Sequence, residues 1–156
     1  MGERTRILVV DDDESIRTVL AAILGEEYTV DTAQSGKDAI EKTNTRFYSV
    51  ALVDIRLPDM EGTQLLTRMK ETVPKMRKII ITGYPTLHNA VEAVNKGADA
   101  YIMKPFDMEK VLGAIKEQLA KQGQEKRFSQ DKVTEYIQTR VKELETEKAI
   151  NNNRQR

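Results

Sequence analysis

Short runs rich in Ile and Val alternate with longer segments in which apolar residues recur every three or four positions, and this pair repeats five times along the chain. Short β-branched runs are typical of strands, whereas the longer spacing is typical of helices with one apolar face. Because the strand runs are almost continuously apolar, both of their faces must be covered by protein. The pattern predicts an α/β fold, in which a doubly wound, five-stranded parallel sheet lies between two layers of helices.

Residues that typically begin or end helices place these elements along the chain. Asp13 and Ser35 are predicted to cap the first and second helices, and Gly25 and Gly97 are predicted to end helices. Pro74 closes the third pair of strand and helix. The predicted strands are 7–10, 28–33, 50–53, 78–81 and 100–103.

The composition changes after residue 121, where apolar residues become rare. We expect residues 1–121 to form one compact domain, followed by a polar hinge at 122–128, a helical extension at 129–148 and a disordered tail at 149–156. Four apolar residues of the extension lie along one helix face. A helix with an uncovered apolar face is marginal, so we expect it to pair with a second copy of the chain or with another protein. These residues are Val133, Ile137, Val141 and Leu144.

The charges balance, with 25 Lys and Arg residues against 25 Asp and Glu residues. A neutral chain has no general attraction to nucleic acid, and the basic residues of the C-terminal part are interleaved with acidic ones, so we expect no direct nucleic-acid binding. The sequence has no cysteine, which excludes disulfides and thiolate metal sites. No apolar run approaches the roughly 20 residues that span a bilayer, and no signal-peptide pattern is present. We therefore expect a soluble, cytoplasmic protein without a membrane partner.

Carboxylate, hydroxyl or ammonium side chains stand directly after four of the five predicted strands. Asp11 and Asp12 follow the first strand, and Asp54 follows the third. Thr82 follows the fourth strand and Lys104 the fifth. The carboxyl ends of the strands form the ligand-binding edge of an open parallel sheet. We therefore expect these five side chains to lie together at one edge.

Three carboxylates at one edge require positive charge nearby. Two carboxylates about 4 Å apart repel by roughly 4 kcal/mol at an effective dielectric constant near 20. Lys104 supplies one positive charge, and Mg²⁺ suits the site because it binds carboxylates and shares an oxygen with a phosphate. A carboxylate such as Asp54 is then a nucleophile toward phosphorus, with Lys104 and Thr82 stabilising the phosphoryl oxygens. The sequence therefore predicts a magnesium-dependent phosphoryl-transfer site.

Four motifs contain these residues. They are Val-Val-Asp-Asp-Asp at 9–13, Ala-Leu-Val-Asp-Ile-Arg-Leu-Pro-Asp-Met-Glu-Gly at 51–62, Ile-Ile-Thr-Gly at 80–83 and Lys-Pro-Phe at 104–106. Together they resemble the motifs of receiver domains of two-component response regulators. The resemblance covers about residues 7–119 and implies a flavodoxin-like receiver fold. The segment Gly-Ala-Asp-Ala-Tyr at 97–101 resembles receivers of the nitrogen-regulator type.

The resemblance implies a role for each residue of the site. Asp54 would accept a phosphoryl group from a sensor histidine kinase or a phosphotransfer protein. Asp11 and Asp12 would bind Mg²⁺ together with this carboxylate, and the backbone carbonyl of Arg56 would be a further ligand. Lys104 would pair with the phosphoryl group. The chain would be a switch that controls an output partner or domain, not an enzyme with a separate substrate, and it would assist its own phosphotransfer and autodephosphorylation.

The resemblance also implies how the switch responds. Thr82 would move toward the phosphoryl group, and Tyr101 would turn inward as the threonine leaves its place. The Lys104–Pro105 peptide bond would be cis. Arg56 and Tyr84 would influence how long the phosphoryl group survives. Changes of association through the fourth and fifth helices are also implied, which favours a homodimer.

Two other functions compete with this interpretation. A haloacid-dehalogenase-type phosphatase is the main alternative, because Asp11, Asp13 and Ser15 mimic the first motif of that family. That alternative leaves Asp54 without a role and lacks an acidic pair at a strand end after Lys104. Nucleotide binding is less favoured, because neither a phosphate loop nor a dinucleotide fingerprint follows the first strand. The sequence leaves open whether the chain acts alone or is a fragment of a longer regulator.

Overall fold

The computed structural model describes residues 4–154 of the 156-residue chain. Within this range, no helix combines the length and the apolar character that a membrane span requires. In chain order the elements are β1 (Arg6–Val10), α1 (Glu14–Leu24), β2 (Thr29–Ala33), α2 (Gly36–Thr45), β3 (Val50–Val53), α3 (Gly62–Arg68), β4 (Arg77–Thr82), α4 (Leu87–Asn95), β5 (Ala100–Met103) and α5 (Met108–Arg154).

The strands form one parallel sheet in the order β2-β1-β3-β4-β5, with helices on both faces. This confirms the predicted doubly wound fold. Successive residues of a strand point to opposite faces, so a central strand supplies two cores. In β1, Leu8 and Val10 belong to the core under α2, α3 and α4. Ile7 and Val9 belong to the core under α1 and α5, which explains why the run is continuously apolar.

The predicted caps of the first two helices are confirmed. The carboxylate of Asp13 accepts a hydrogen bond from the backbone N–H of Ser15 at 2.8 Å, and the hydroxyl of Ser35 accepts one from the N–H of Asp38 at 3.1 Å. Gly97 follows the C-cap of α4 with a φ of 99°, a left-handed conformation that favours glycine. The bounds of β3 and β5 agree with the prediction, those of β1 and β2 differ by one residue at one end, and β4 is longer by one residue at each end.

The C-terminal part differs from the sequence prediction. Helix α5 continues through the predicted hinge at 122–128 and through residues 149–154 of the predicted disordered tail, whereas residues 155–156 lie outside the described range. The physical reason at 122–128 is that Gln, Glu, Lys and Arg are good helix formers, and Gly123 costs only about 1 kcal/mol relative to Ala. By compactness the chain divides into two units, Met1–Gln122 and Gly123–Arg156.

The direction of the strand order changes at β1. The chain passes from β1 to β2 on one side and then to β3 on the other side of β1. In open α/β sheets, ligands bind at the carboxyl ends of the strands next to such a point. Asp11 follows β1 and Asp54 follows β3, and Val10 is aligned with Val53 between these strands. The topology therefore places two acidic residues side by side.

Candidate functional site

The acidic cluster of the structure consists of the carboxylates of Asp11, Asp12 and Asp54. One oxygen from each carboxylate lies within 4.8 Å of the others. Asp11 and Asp54 are buried, whereas Asp12 is exposed. The cluster therefore has two carboxylates backed by the sheet and one side open to solvent, which agrees with the clustering predicted from the strand ends.

Lys104 reaches the acidic cluster from the end of β5. Its Nζ donates hydrogen bonds to Oδ2 of Asp11 at 2.8 Å and to Oδ2 of Asp54 at 3.2 Å. Its backbone N–H donates to the carbonyl oxygen of Thr82 at 2.7 Å, which holds this position beside the end of β4. The Lys104–Pro105 peptide bond is cis, as predicted. One ammonium and three carboxylates together carry a net charge of −2.

Burial and neighbouring charges shift the pKa values in this cluster. Burial raises the pKa of the Asp54 carboxyl, the charge of Lys104 opposes this, and the charge of Asp11 adds to it, so that the pKa is raised overall. Burial disfavours the Lys104 ammonium, but its hydrogen bond to Asp11 and the charge of Asp54 outweigh burial and raise the pKa of Lys104. Lys104 is therefore protonated at neutral pH, and an additional cation would favour the ionised form of Asp54.

The donor atoms of the acidic cluster fit Mg²⁺. This ion takes hard oxygen ligands, is commonly held by one or two carboxylates and keeps several waters. The three carboxylates supply such oxygens, the exposed Asp12 leaves room for water, and the net charge of −2 is balanced by a divalent cation. The backbone N–H of Arg56 makes a long contact of 3.5 Å with Oδ1 of Asp54, so the chain turns back toward the cluster after β3.

Thr82 and Tyr101 lie on the neighbouring strands β4 and β5. Thr82 is fully buried, and its Oγ1 accepts a hydrogen bond from the backbone N–H of Tyr84 at 3.0 Å. Tyr101 packs against the core under α2, α3 and α4, and burial raises the pKa of its hydroxyl. That hydroxyl is buried without a hydrogen-bond partner among residues 4–154. Buried tyrosine hydroxyls usually have a hydrogen-bond partner. The Tyr101 hydroxyl can therefore gain a hydrogen bond when the residues around it move.

The loop after Asp54 holds the beginning of α2, a contact that the sequence analysis missed. The carboxylate of Asp59 accepts hydrogen bonds from the backbone N–H groups of Gly36 and Lys37, each at 2.9 Å. These two bonds lower the pKa of the Asp59 carboxyl. The side chain of Met60 fills the space beside Gly36, where a Cβ atom would overlap it. The hydrogen-bonded partners are 22 and 23 residues apart, so no local sequence pattern indicates the contact.

Arg56 and Tyr84 connect the loop after β3 with the loop after β4. The guanidinium carbon of Arg56 lies 3.7 Å from the centroid of the Tyr84 ring. Such a cation–π contact contributes about 0.5–1 kcal/mol at an exposed site. Tyr84 also donates its backbone N–H to Thr82, so the contact links the Asp54 loop to the Thr82 hydroxyl. The family resemblance implies a role for Arg56 and for Tyr84, but no pattern in the sequence indicates that they touch.

Asp13 does not serve the role that the phosphatase alternative requires. Its carboxylate oxygen Oδ1 accepts the N–H groups of Ser15 and Ile16, and it is therefore the N-cap of α1. The acidic cluster contains Asp54 instead. The geometry favours Asp54, not Asp13, as the acidic partner of Asp11 and Asp12.

Comparison with known proteins identifies the family of this fold. A sequence profile described as the response regulator receiver domain matches residues 7–116. The transcriptional regulatory protein ZraR of Klebsiella oxytoca is 39% identical over 135 residues, which cover 86% of this chain and 30% of that protein. The DNA-binding transcriptional regulator NtrC of Escherichia coli K12 is 38% identical over 114 residues, which cover 72% of this chain and 24% of that protein. The chain thus spans less than a third of the length of these curated relatives.

Solved structures agree with this assignment. A CheY-like response regulator receiver domain protein from Methanospirillum hungatei is 45% identical, covers 79% of this chain and 99% of its own, and superimposes with a TM-score of 0.76. The beryllofluoride-activated NtrC4 receiver domain dimer is 40% identical, covers 75% of this chain and 98% of its own, and has a TM-score of 0.70. These relatives also confirm the resemblance to nitrogen-regulator-type receivers. The chain therefore belongs to the response regulator receiver domain family of two-component systems.

Proposed function

We propose that the chain is a phosphorylation-activated switch that accepts a phosphoryl group on Asp54 in the presence of Mg²⁺. The donor is a sensor histidine kinase or a phosphotransfer protein. One observation carries the proposal: Asp54 lies in an acidic cluster that is open to solvent at Asp12, and its carboxylate accepts a hydrogen bond from Lys104 Nζ at 3.2 Å. Membership of the receiver domain family supports the same assignment.

The proposed transfer forms one bond to phosphorus and breaks another. A carboxylate oxygen of Asp54 attacks the phosphorus of a phosphohistidine, and the electron pair of the broken P–N bond goes to the imidazole. The Lys104 ammonium is held beside the attacking carboxylate and stabilises charge on the phosphoryl oxygens, and the Thr82 hydroxyl does the same after it turns toward them. Water later hydrolyses the acyl phosphate. The chain thus assists its own phosphorylation and dephosphorylation without turning over a separate substrate.

The proposed metal ligands are Asp11, Asp12 and Asp54, with the backbone carbonyl of Arg56. Bound Mg²⁺ supplies positive charge to the phosphoryl oxygens during transfer. The protein's own part is to hold the three carboxylates together and to keep Lys104 charged beside them. Of the three carboxylates, that of Asp12 is exposed to solvent, so Asp12 contributes to metal binding more than to the packing of the fold.

Replacement of Asp12 by Asn is expected to weaken Mg²⁺ binding by about tenfold or more and to slow phosphorylation by acetyl phosphate in parallel. Titration calorimetry and the mass of the intact protein measure the two effects, and EDTA should prevent phosphorylation of the unmodified chain. Asp13→Asn is the matched control, because it removes one charge next to the cluster while Asn caps a helix as well as Asp does. Equal Mg²⁺ affinity in the Asp12 variant and the unmodified chain would show that the ligand assignment is wrong.

The conformational response is proposed to pass from Lys104 and Thr82 to Tyr101. Lys104→Ala should still accept a phosphoryl group on Asp54, although more slowly, because the nucleophile remains. It should lose most of the chemical-shift changes in α4 and around Tyr101 that phosphorylation produces in the unmodified chain, because a phosphoryl group of about −1.5 to −2 charges has lost its cationic partner. Lys110→Ala, an exposed lysine at the beginning of α5, is the control. Full shift changes in phosphorylated Lys104→Ala contradict the coupling role.

The output of the switch is proposed to reside in another protein or in a further domain. ZraR and NtrC are described as transcriptional regulators, and this chain covers 30% and 24% of their lengths. The residues beyond the receiver unit form one helix and no second sheet among residues 123–154. A histidine kinase partner implies a cytoplasmic location for the chain.

The helical unit after residue 122 is proposed to pair with a second copy of itself. Its apolar stripe consists of Val133, Ile137, Val141 and Leu144, which are 47–58% exposed in the single chain. Covering each side chain contributes up to about 1.5–3 kcal/mol, which offsets the cost of ordering a long solvated helix. Charged residues of both signs flank the stripe, so two copies do not repel each other strongly.

Ile137→Glu is expected to convert the dimer into a monomer and to reduce the helix signal, because it places a charge in the centre of the stripe. Thr139→Glu is the matched control, since it lies about 200° away around the same helix and is also exposed. Light scattering and circular dichroism of the full chain, with and without phosphorylation, provide the measurement. A monomeric unmodified chain under both conditions contradicts the pairing.

A further inference from the structure

A cavity lies at the edge of the sheet opposite to that of Asp54. It has a volume of about 600 Å³ and is formed where β1, β2 and β3 begin. Three arginines line it together with an aromatic ring and hydroxyl groups, and no acidic residue among residues 4–154 is part of the lining. We call it the arginine pocket. The residues that matter for its chemistry are Arg4, Arg6, Arg46, Phe47, Thr29 and Ser49.

The arginine pocket has more positive charges than the carboxylate that pairs with its arginines can balance. Oδ2 of Asp31 lies 3.2 Å from Nη1 of Arg6 and 3.5 Å from Nη1 of Arg46. Burial disfavours the ionised form of Asp31, but the hydroxyl of Tyr48 and the two arginines outweigh it and lower the pKa of Asp31. Asp31 is therefore ionised at neutral pH. The three guanidinium groups and the Asp31 carboxylate sum to a charge of +2, and the two acidic residues beside Arg4, Glu26 and Glu27, are exposed to solvent.

The arginines of the pocket are held in place but are still accessible. Arg4 donates from Nη2 to the carbonyl oxygen of Glu26 at 2.5 Å and from Nε to that of Glu27 at 3.3 Å, which fixes its side chain at the rim. The ion pairs with Asp31 orient Arg6 and Arg46, and the Arg46 side chain is 56% exposed. Each guanidinium carries five N–H donors in a planar fork that matches phosphate oxygens.

An aromatic surface adjoins these charges. Phe47, in the loop between α2 and β3, is 44% exposed. A neighbouring cavity of about 160 Å³ is lined by the same Phe47 and Arg46 and by Lys70. The Phe47 ring therefore borders two adjoining cavities, and Arg46 lines both of them. Nucleic-acid-binding proteins use aromatic side chains in this way, because a flat base of any sequence can stack on the ring.

We propose that the arginine pocket binds a nucleoside diphosphate or triphosphate, with the phosphates on the arginines and the base on Phe47. A cavity of this volume suits a small ligand. An acidic peptide would satisfy the charges but would leave the exposed ring without a partner. The lining residues come from three separate segments of the chain. A site built in this way has no continuous phosphate-loop motif in the sequence. The pocket shares no residue with the Asp54 site, so this proposal does not rest on the proposed function.

The test is a titration of the full chain with ADP in EDTA, followed by amide chemical shifts and by calorimetry. Shifts are expected around Arg46 and Ser49, and not around Asp54. Arg46→Ala and Phe47→Leu should each weaken binding by about tenfold, because one removes a charged hydrogen-bond donor and the other removes only the ring. Arg68→Ala, an exposed arginine at the end of α3, is the control and should bind ADP like the unmodified chain.

Four results would overturn the proposal. The first is no saturable binding of ADP at millimolar concentration. The second is equal affinity for ADP and pyrophosphate, because the ring would then contribute nothing. The third is binding that neither variant weakens, although circular dichroism shows that both are folded. The fourth is a single-stranded oligonucleotide that binds about a hundredfold more tightly than ADP, because the ligand would then be nucleic acid.

Discussion

Asp54→Asn is expected to abolish phosphorylation by acetyl phosphate in the presence of Mg²⁺. The carboxamide lacks the anionic oxygen that attacks phosphorus, and removal of a nucleophile lowers rates on the order of 10⁴-fold or more in well-studied enzymes. The shape of the side chain is conserved, so the core around it should remain intact. The initial rate of phosphoryl incorporation is the measurement. A rate in the variant within tenfold of the unmodified chain would mean that another residue accepts the group.

The same variant has an expected effect on stability, which serves as its folding control. The folded-state pKa of Asp54 is raised, so its ionised form weakens the fold at pH values above that pKa. Asp54→Asn should therefore be more stable than the unmodified chain at pH 7 in EDTA. This difference should shrink as the pH falls and disappear below the ordinary carboxyl pKa of about 3.9, because Asp54 is then protonated in both states. Thermal unfolding at several pH values measures it, and a less stable variant at pH 7 contradicts the sign.

Gly62→Ala is expected to destabilise the chain by about 1–3 kcal/mol or more and to slow phosphorylation of Asp54. A Cβ atom at residue 62 would overlap the carbonyl oxygen of Asp54 and lie 2.9 Å from the Asp54 carbonyl carbon and from Cα of Ile55. These are backbone atoms, so the phosphoacceptor loop itself must shift. The N–H of Gly62 also donates to the carbonyl oxygen of Ile55 at 2.6 Å, which any shift would strain. Chemical denaturation and the phosphorylation rate measure the two effects.

Gly113→Ala is the matched control for this substitution. Gly113 lies in α5, and a Cβ atom there meets nothing within 4 Å. Alanine is favoured over glycine in a helix interior by up to about 1 kcal/mol, so this variant should be as stable as the unmodified chain or more stable. If Gly62→Ala and Gly113→Ala have the same stability and the same phosphorylation rate, the steric explanation fails.

The sheet and the position of the site could be predicted because both depend on local patterns. A buried strand such as Val50–Val53 is marked by its own residues, and the parallel topology brings the ends of such strands to one edge. The proximity of Asp11, Asp12 and Asp54 follows from that topology, and Lys104 joins them because their repulsion requires a cation.

The features that could not be predicted depend on contacts between distant segments. The hydrogen bonds from Gly36 and Lys37 to Asp59 and the stacking of Arg56 on Tyr84 require loop conformations that no spacing encodes. The arginine pocket likewise combines three separate segments. The continuous helix through residues 122–128 was missed for a different reason, because a polar composition is compatible with both a hinge and a solvated helix.

The position of the phosphoryl group can be measured by peptide mass spectrometry of the chain after reaction with acetyl phosphate and Mg²⁺. We expect one phosphoryl group per chain, located on Asp54 and absent when EDTA removes the metal. A stable phosphoryl group on any other residue, or one on Asp54 that forms equally well in EDTA, would show that the proposed function is wrong.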